Sequence, residues 1–110
     1  MNGQRVLSRI SKEEVVRRLK LFKERALRKY SSIKTVVLIG SIATNTHTAR
    51  SDVDVIVVYR GREPNYAHLK EMLSECVKMP ADLIVIDEDK IPRLSPKVKE
   101  EWFRKGVVIN

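Results

Sequence analysis

Residues 40–54 read Gly40-Ser41-Ile42-Ala43-Thr44-Asn45-Thr46-His47-Thr48-Ala49-Arg50-Ser51-Asp52-Val53-Asp54. A β-branched run, Ile33 to Ile39, leads into this stretch, and Val55-Ile56-Val57-Val58 follows it. The pattern predicts a buried strand ended by glycine, a polar turn with room for a short helix, and a second strand over Asp52–Tyr59. Gly40 lacks a Cβ, so its backbone can approach a ligand closely. If a helix starts there, unpaired N–H groups and the Ser41 hydroxyl make a cradle for phosphate oxygens. Gly-Ser after a strand is equally the composition of an ordinary capped turn.

Asp52 and Asp54 are two residues apart, a spacing that puts both carboxylates on one face of a strand. Aspartate is disfavoured in strands, and two ionised neighbours repel unless a cation screens them. Hard oxygen ligands of this kind select Mg²⁺ or Mn²⁺. Solvated aspartates at a fraying strand end are the structural alternative. Asp82 opens a third strand, Asp82–Ile86, in the same local setting. If the two strands are neighbours, three carboxylates converge, and such a cluster can hold two divalent ions.

The flanking sequence completes a strand–helix alternation. Ser11 and Glu14 form a capping-box pair ahead of Val15, Leu19, Phe22 and Ala26, which predicts a helix over 11–30. Eight Lys and Arg side chains (12, 17, 18, 20, 23, 25, 28 and 29) fill its other positions, either as a solvated face or as a surface for something anionic. After the Gly61–Pro64 turn, Leu69, Leu73 and Cys76 share a face, with Met72 beside them, and Pro80 ends that helix. A short helix is expected around 97–104, anchored by Trp102 and Phe103, before an edge strand at Val107–Ile109. The expected fold is α/β (α+β): a small mixed sheet of three to four strands with helices packed against it.

At 110 residues the chain has the length of one domain, 1–110. The formal charge of +8 fits a nucleotide, a nucleic acid or an acidic partner. Cys76 is the sole cysteine, which excludes an internal disulfide and Cys-rich zinc sites. Met1 to Arg5 is followed by no apolar signal region, and no apolar run approaches the ~20 residues of a membrane helix, so a soluble cytoplasmic protein is expected. His47 reads as a solvated loop residue, His68 as a surface one, and Tyr59 and Tyr66 as packing residues.

The Gly-Ser pair, ten intervening residues, Asp-x-Asp, and a later strand-borne aspartate together resemble the signature of the minimal nucleotidyltransferases of the DNA polymerase β-like superfamily. The resemblance covers residues 33–87 and implies the nucleotidyltransferase fold of that superfamily. It implies that Gly40 and Ser41 bind the nucleoside triphosphate, and that Asp52, Asp54 and Asp82 are catalytic and ligate two Mg²⁺ ions, with Mn²⁺ as a substitute. The implied reaction transfers a nucleoside monophosphate, AMP from ATP, to an acceptor hydroxyl, with pyrophosphate released. Free-standing members of the family are commonly encoded with a small helical HEPN-type toxin, and some modify a toxin tyrosine as antitoxins. Two positions depart from the family pattern: Ile42 stands where an arginine is frequent and Asn45 where a glycine is. The alternatives are a catalytically silent module acting by contact and, ranked last, a nucleic-acid binder using the basic helix.

Overall fold

The computed structural model describes residues 9–110; the N-terminal stretch Met1 to Arg5 lies outside the described residues. Helix α1 spans Lys12–Lys29, and the Ser11 side chain accepts from the Glu14 backbone N–H at 3.1 Å. Only half of the expected capping box forms. The Glu14 carboxylate turns instead to Arg17 and Arg18, whose hydrogen bonds and charges hold its pKa down to about 2. The strands are β1 (Ile33–Ile39), β2 (Val53–Tyr59), β3 (Ala81–Asp87) and β4 (Val107–Val108). Between them lie the four-residue α2 (Gly40–Ala43) and the longer α3 (Tyr66–Val77), which Asn65 caps. Pro64 therefore sits one residue before the cap of α3 rather than opening the helix.

The sheet order is β3-β2-β1-β4. β1 runs antiparallel to β2 and β4, whereas β2 and β3 are parallel. The parallel pair needs a crossover, which α3 supplies. The mixed four-stranded sheet agrees with the sequence expectation, including the edge position of β4.

Alternation along the strands divides the apolar residues between two faces. Val36, Leu38, Val55, Val57 and Leu83 meet Leu19, Phe22, Leu69 and Leu73 of α1 and α3 in the larger core. Val37, Ile56 and Val58 face the other way and are covered by Ile91, Trp102 and Phe103. The C-terminal segment that supplies this cover comprises a 3₁₀ stretch (Glu88–Arg93), α4 (Pro96–Lys99) and a π-helical turn (Glu100–Arg104). Trp102 and Phe103 pack edge to face, with ring centroids 6.2 Å apart. At Gly106 the chain passes so close to the Trp102 carbonyl that a Cβ would lie 2.1 Å from its oxygen.

Several cations of the basic face of α1 have partners within the protein. Arg18 donates to the Val77 carbonyl at 2.6 Å and Lys23 to that of Ile109 at 2.7 Å, so these cations cap other elements. Arg25 pairs with Glu75 and Arg28 with Glu24, both on the surface. These contacts position the side chains, while the helix, with eight Lys and Arg against three Glu, keeps a net positive charge.

Phe22 is fully buried in the larger core, while Leu21 beside it is 47% exposed. Phe22→Ala should therefore lower unfolding free energy by about 3–5 kcal/mol, and Leu21→Ala by no more than ~0.5 kcal/mol. Urea denaturation of the two variants checks this contrast.

Candidate active site

The Gly40–Asp54 stretch sits where β1 ends and β2 begins. Because β1 and β2 are antiparallel with Ile39 opposite Asp54, the residue after Ile39 lies beside the Asp54 carboxyl. Gly40 has φ +80°, and a Cβ there would come within 2.5 Å of Asp54 Oδ2. Both facts require glycine: the backbone angle strains any L side chain, and the carboxylate occupies the space one would need.

α2 begins at Gly40 itself. Ile39 occupies its N-cap position and provides no side-chain acceptor, so the first-turn N–H groups are not capped from within the chain. The following turn is held by hydroxyls. The Ser41 carbonyl accepts from the Thr46 backbone N–H at 2.9 Å, and the Thr44 and Thr46 hydroxyls lie 3.0 Å apart. Asn45 adopts φ 60°, the left-handed geometry that asparagine tolerates and that the family pattern meets with glycine. Ile42 is core, 1% exposed, so the position where an arginine is frequent carries an apolar anchor in this chain. Arg50, the nearest cation along the loop, is exposed.

Asp54 and Asp82 are register partners on the parallel strands β2 and β3. Neighbouring strands lie ~4.8 Å apart, and in-register side chains share a face. Asp54 is half-buried and Asp82 exposed. Asp54 is pushed above the ordinary carboxylate range, first by burial, then by the charge and hydrogen bonding of Asp82, and then by the charge of Asp52. Asp52 itself precedes β2, which starts at Val53, and is exposed. Strand alternation therefore does not by itself orient Asp52. Among the described residues no three His, Cys, Asp or Glu side chains close into a metal-ligating group. The structure thus brings Gly40, Asp54 and Asp82 together and leaves Asp52 at their margin.

No ion pair involves Asp52, Asp54 or Asp82 among the described residues, although the chain carries +8. The Asp54–Asp82 pair, without a protein cation beside it and with one carboxyl already resisting ionisation, offers the hard oxygen donors that suit a divalent ion. A cavity of about 730 Å³ lies elsewhere. It is lined by Lys29, Tyr30, Arg62, Tyr66 and Val85, and by none of the three aspartates.

Three side chains behave differently from their sequence reading. His47 is 3% exposed, not solvated: its imidazole Nε2 lies 2.5 Å from the Ile10 carbonyl, which ties the loop to the approach of α1. His68 is partly buried, with Nδ1 2.7 Å from the Tyr30 hydroxyl. Tyr66 is 51% exposed, and its hydroxyl donates to the Leu83 carbonyl at 3.2 Å. No local pattern marks these contacts, because each joins segments distant in sequence.

The model for a nucleotidyltransferase domain matches residues 19–109. A curated relative, “Putative protein adenylyltransferase MJ0128” of Methanocaldococcus jannaschii, is 26% identical over 81 residues, 71% of this chain and 82% of the relative. A crystal structure titled “putative nucleotidyltransferase from Sulfolobus solfataricus” superposes with TM-score 0.62 at 22% identity, covering 98% of this chain and 90% of that one. A chain of a toxin–antitoxin crystallised with AMP-PNP gives TM-score 0.59 at 17% identity over 83% of this chain and 72% of that one. A chain of the complex between tri-AMPylated Shewanella oneidensis HEPN toxin and MNT antitoxin gives 0.54 at 15% identity, over 86% and 71%. These structural likenesses establish the shared fold.

Two outcomes follow from the carboxylate geometry. Gly40→Ala should destabilise the protein by about 1–3 kcal/mol through backbone strain, read by urea denaturation. An acid whose native pKa lies above its unfolded value binds more protons when folded, so stability falls as pH rises through the carboxylate range. In EDTA, Asp54→Asn should therefore melt above wild type at pH 7, with the gap closing towards pH ~4, as differential scanning fluorimetry across pH will show.

Proposed function

The chain belongs to the nucleotidyltransferase domain family, and on that premise we propose that it transfers AMP from ATP to a hydroxyl of a protein acceptor in a divalent-metal-dependent reaction. The observation that carries this reading is the in-register Asp54–Asp82 pair with Gly40 packed against it, at the family's motif positions. The M. jannaschii relative, named as a protein adenylyltransferase, supports a protein acceptor. The tri-AMPylated HEPN toxin in complex with MNT antitoxin supports a HEPN-type partner, and within it a tyrosine acceptor as the family resemblance implies. The acting unit in this proposal is one domain over residues 1–110. No helix among the described residues is long and apolar enough to cross a membrane.

In this mechanism the uncapped first turn of α2, with Ser41, receives the triphosphate oxygens. Asp52, Asp54 and Asp82 would hold Mg²⁺, two ions in the full arrangement, with Mn²⁺ as a substitute. Bound there, the metal offsets negative charge on the phosphoryl oxygens. Asp82, the more exposed of the register pair, accepts the proton of the attacking hydroxyl. The acceptor oxygen forms a bond to the α-phosphorus, and the bond to the bridging oxygen breaks. Pyrophosphate departs with that electron pair. Asp54 and Gly40 keep the cradle and the carboxylates in contact.

Incubation with Mg²⁺ and α-phosphate-labelled ATP should label a co-expressed HEPN-type partner. Asp52→Asn and Asp54→Asn should each reduce the labelling rate ~10²-fold or more, the scale of losing one preorganised electrostatic group. Full labelling by either variant contradicts the assignment. A contact-only antitoxin is the second reading, favoured by Ile42, whose side chain is core and offers the triphosphate no charge. Under that reading, an Asp52/Asp54/Asp82 triple variant would neutralise the partner as well as wild type.

A further inference from the structure

β3 carries Asp82 and is an edge strand, paired on one side only. The Val53 N–H donates to the Pro80 carbonyl at 3.0 Å, which sets the phase of the parallel ladder. With that phase, the peptide groups of Asp82 and Ile84 turn towards β2, and the carbonyls of Ala81 and Leu83 turn outward. An edge strand with unpaired carbonyls frays and shifts more readily than a central one. Asp82 would then be less firmly placed than Asp54 on the central strand β2.

Two side chains of α3 occupy those outward carbonyls. The Lys70 ammonium donates to Ala81, and the Tyr66 hydroxyl donates to Leu83 at 3.2 Å. Tyr66 and Lys70 are four residues apart, hence on one helix face. The Lys78–Pro80 turn folds α3 back along β3, and the long Tyr66 and Lys70 side chains reach from the helix to carbonyls in the strand's first half. The Ala81–Asp82 and Leu83–Ile84 peptides are thereby held on the free edge by α3 and on the inner edge by β2.

We infer that Tyr66 and Lys70 are positioning residues that clamp β3 around Asp82 and so set the metal affinity of the carboxylate site. The inference rests on the proposed role of Asp82 as a metal ligand. It assigns a task to a half-exposed tyrosine and a lysine that touch neither the cradle nor the carboxylates.

The test is a Mn²⁺ titration followed by electron paramagnetic resonance, with a non-hydrolysable ATP analogue present, on the full chain. Tyr66→Phe and Lys70→Met should each weaken Mn²⁺ binding about tenfold, the lower end for outer partners of metal ligands. Lys70→Arg should restore it, since a guanidinium can still reach a carbonyl. In turnover assays, the half-saturating Mn²⁺ concentration should rise while kcat at saturating metal stays near wild type. Wild-type Mn²⁺ affinity in both variants, with affinity lost in Asp82→Asn, overturns the clamp alone. Unchanged affinity in Asp82→Asn, or no Mn²⁺ binding by wild type, overturns the role of Asp82 and the clamp with it. Should Lys70→Met fail to fold, Tyr66→Phe, which removes one oxygen and keeps the ring, decides the matter.

Discussion

Two aspartates in register on adjacent parallel strands repel one another, and the β2–β3 register keeps Asp54 and Asp82 side by side. β2 is hydrogen-bonded on both sides, so Asp54 cannot yield without breaking the sheet. Burial first, and then the Asp82 and Asp52 charges, leave Asp54 reluctant to ionise. A cation supplied from outside relieves all of these effects at once. Electrostatic strain of this kind costs stability in the metal-free chain, and functional sites are where such costs persist.

The sheet is built to support that arrangement. β1 is central, and its antiparallel pairing with β2 delivers Gly40 to the Asp54 carboxyl. α1 and α3 cover one face, and the C-terminal segment with Trp102 and Phe103 covers the other. Asp54, Ile56 and Val58 point to the same face by alternation, so one β-strand supplies both the smaller core and a carboxylate at its end. The loop between cradle and carboxylates is tied down by threonine hydroxyls and by buried His47 rather than by a ligand. The site is therefore substantially organised within the chain itself.

The basic charge is a different matter. Taken as composition, +8 invited a nucleic-acid reading; on α1, several of these cations also bind internal carbonyls and nearby carboxylates. Arg18 and Lys23 close the ends of other elements, a task that a charge tally does not reveal. The family membership points to a nucleotide.

Periodicity and punctuation in the sequence were enough to determine the elements and their order. The 3.6-residue stripe of Val15, Leu19, Phe22 and Ala26, the β-branched runs ended by Gly40 and begun near Asp52 and Asp82, and the stop at Pro80 are local signals with local causes. The same local reading nominated Gly40, Ser41, Asp52, Asp54 and Asp82. Only the tertiary structure decided that β2 and β3 are parallel neighbours in the register that pairs Asp54 with Asp82, that Asp52 stands outside the strand, and that His47 is buried. It alone brought Tyr66 and Lys70 onto the free edge of β3. Register and edge contacts arise from the packing of segments far apart along the chain, and no short-range periodicity encodes which of them will meet.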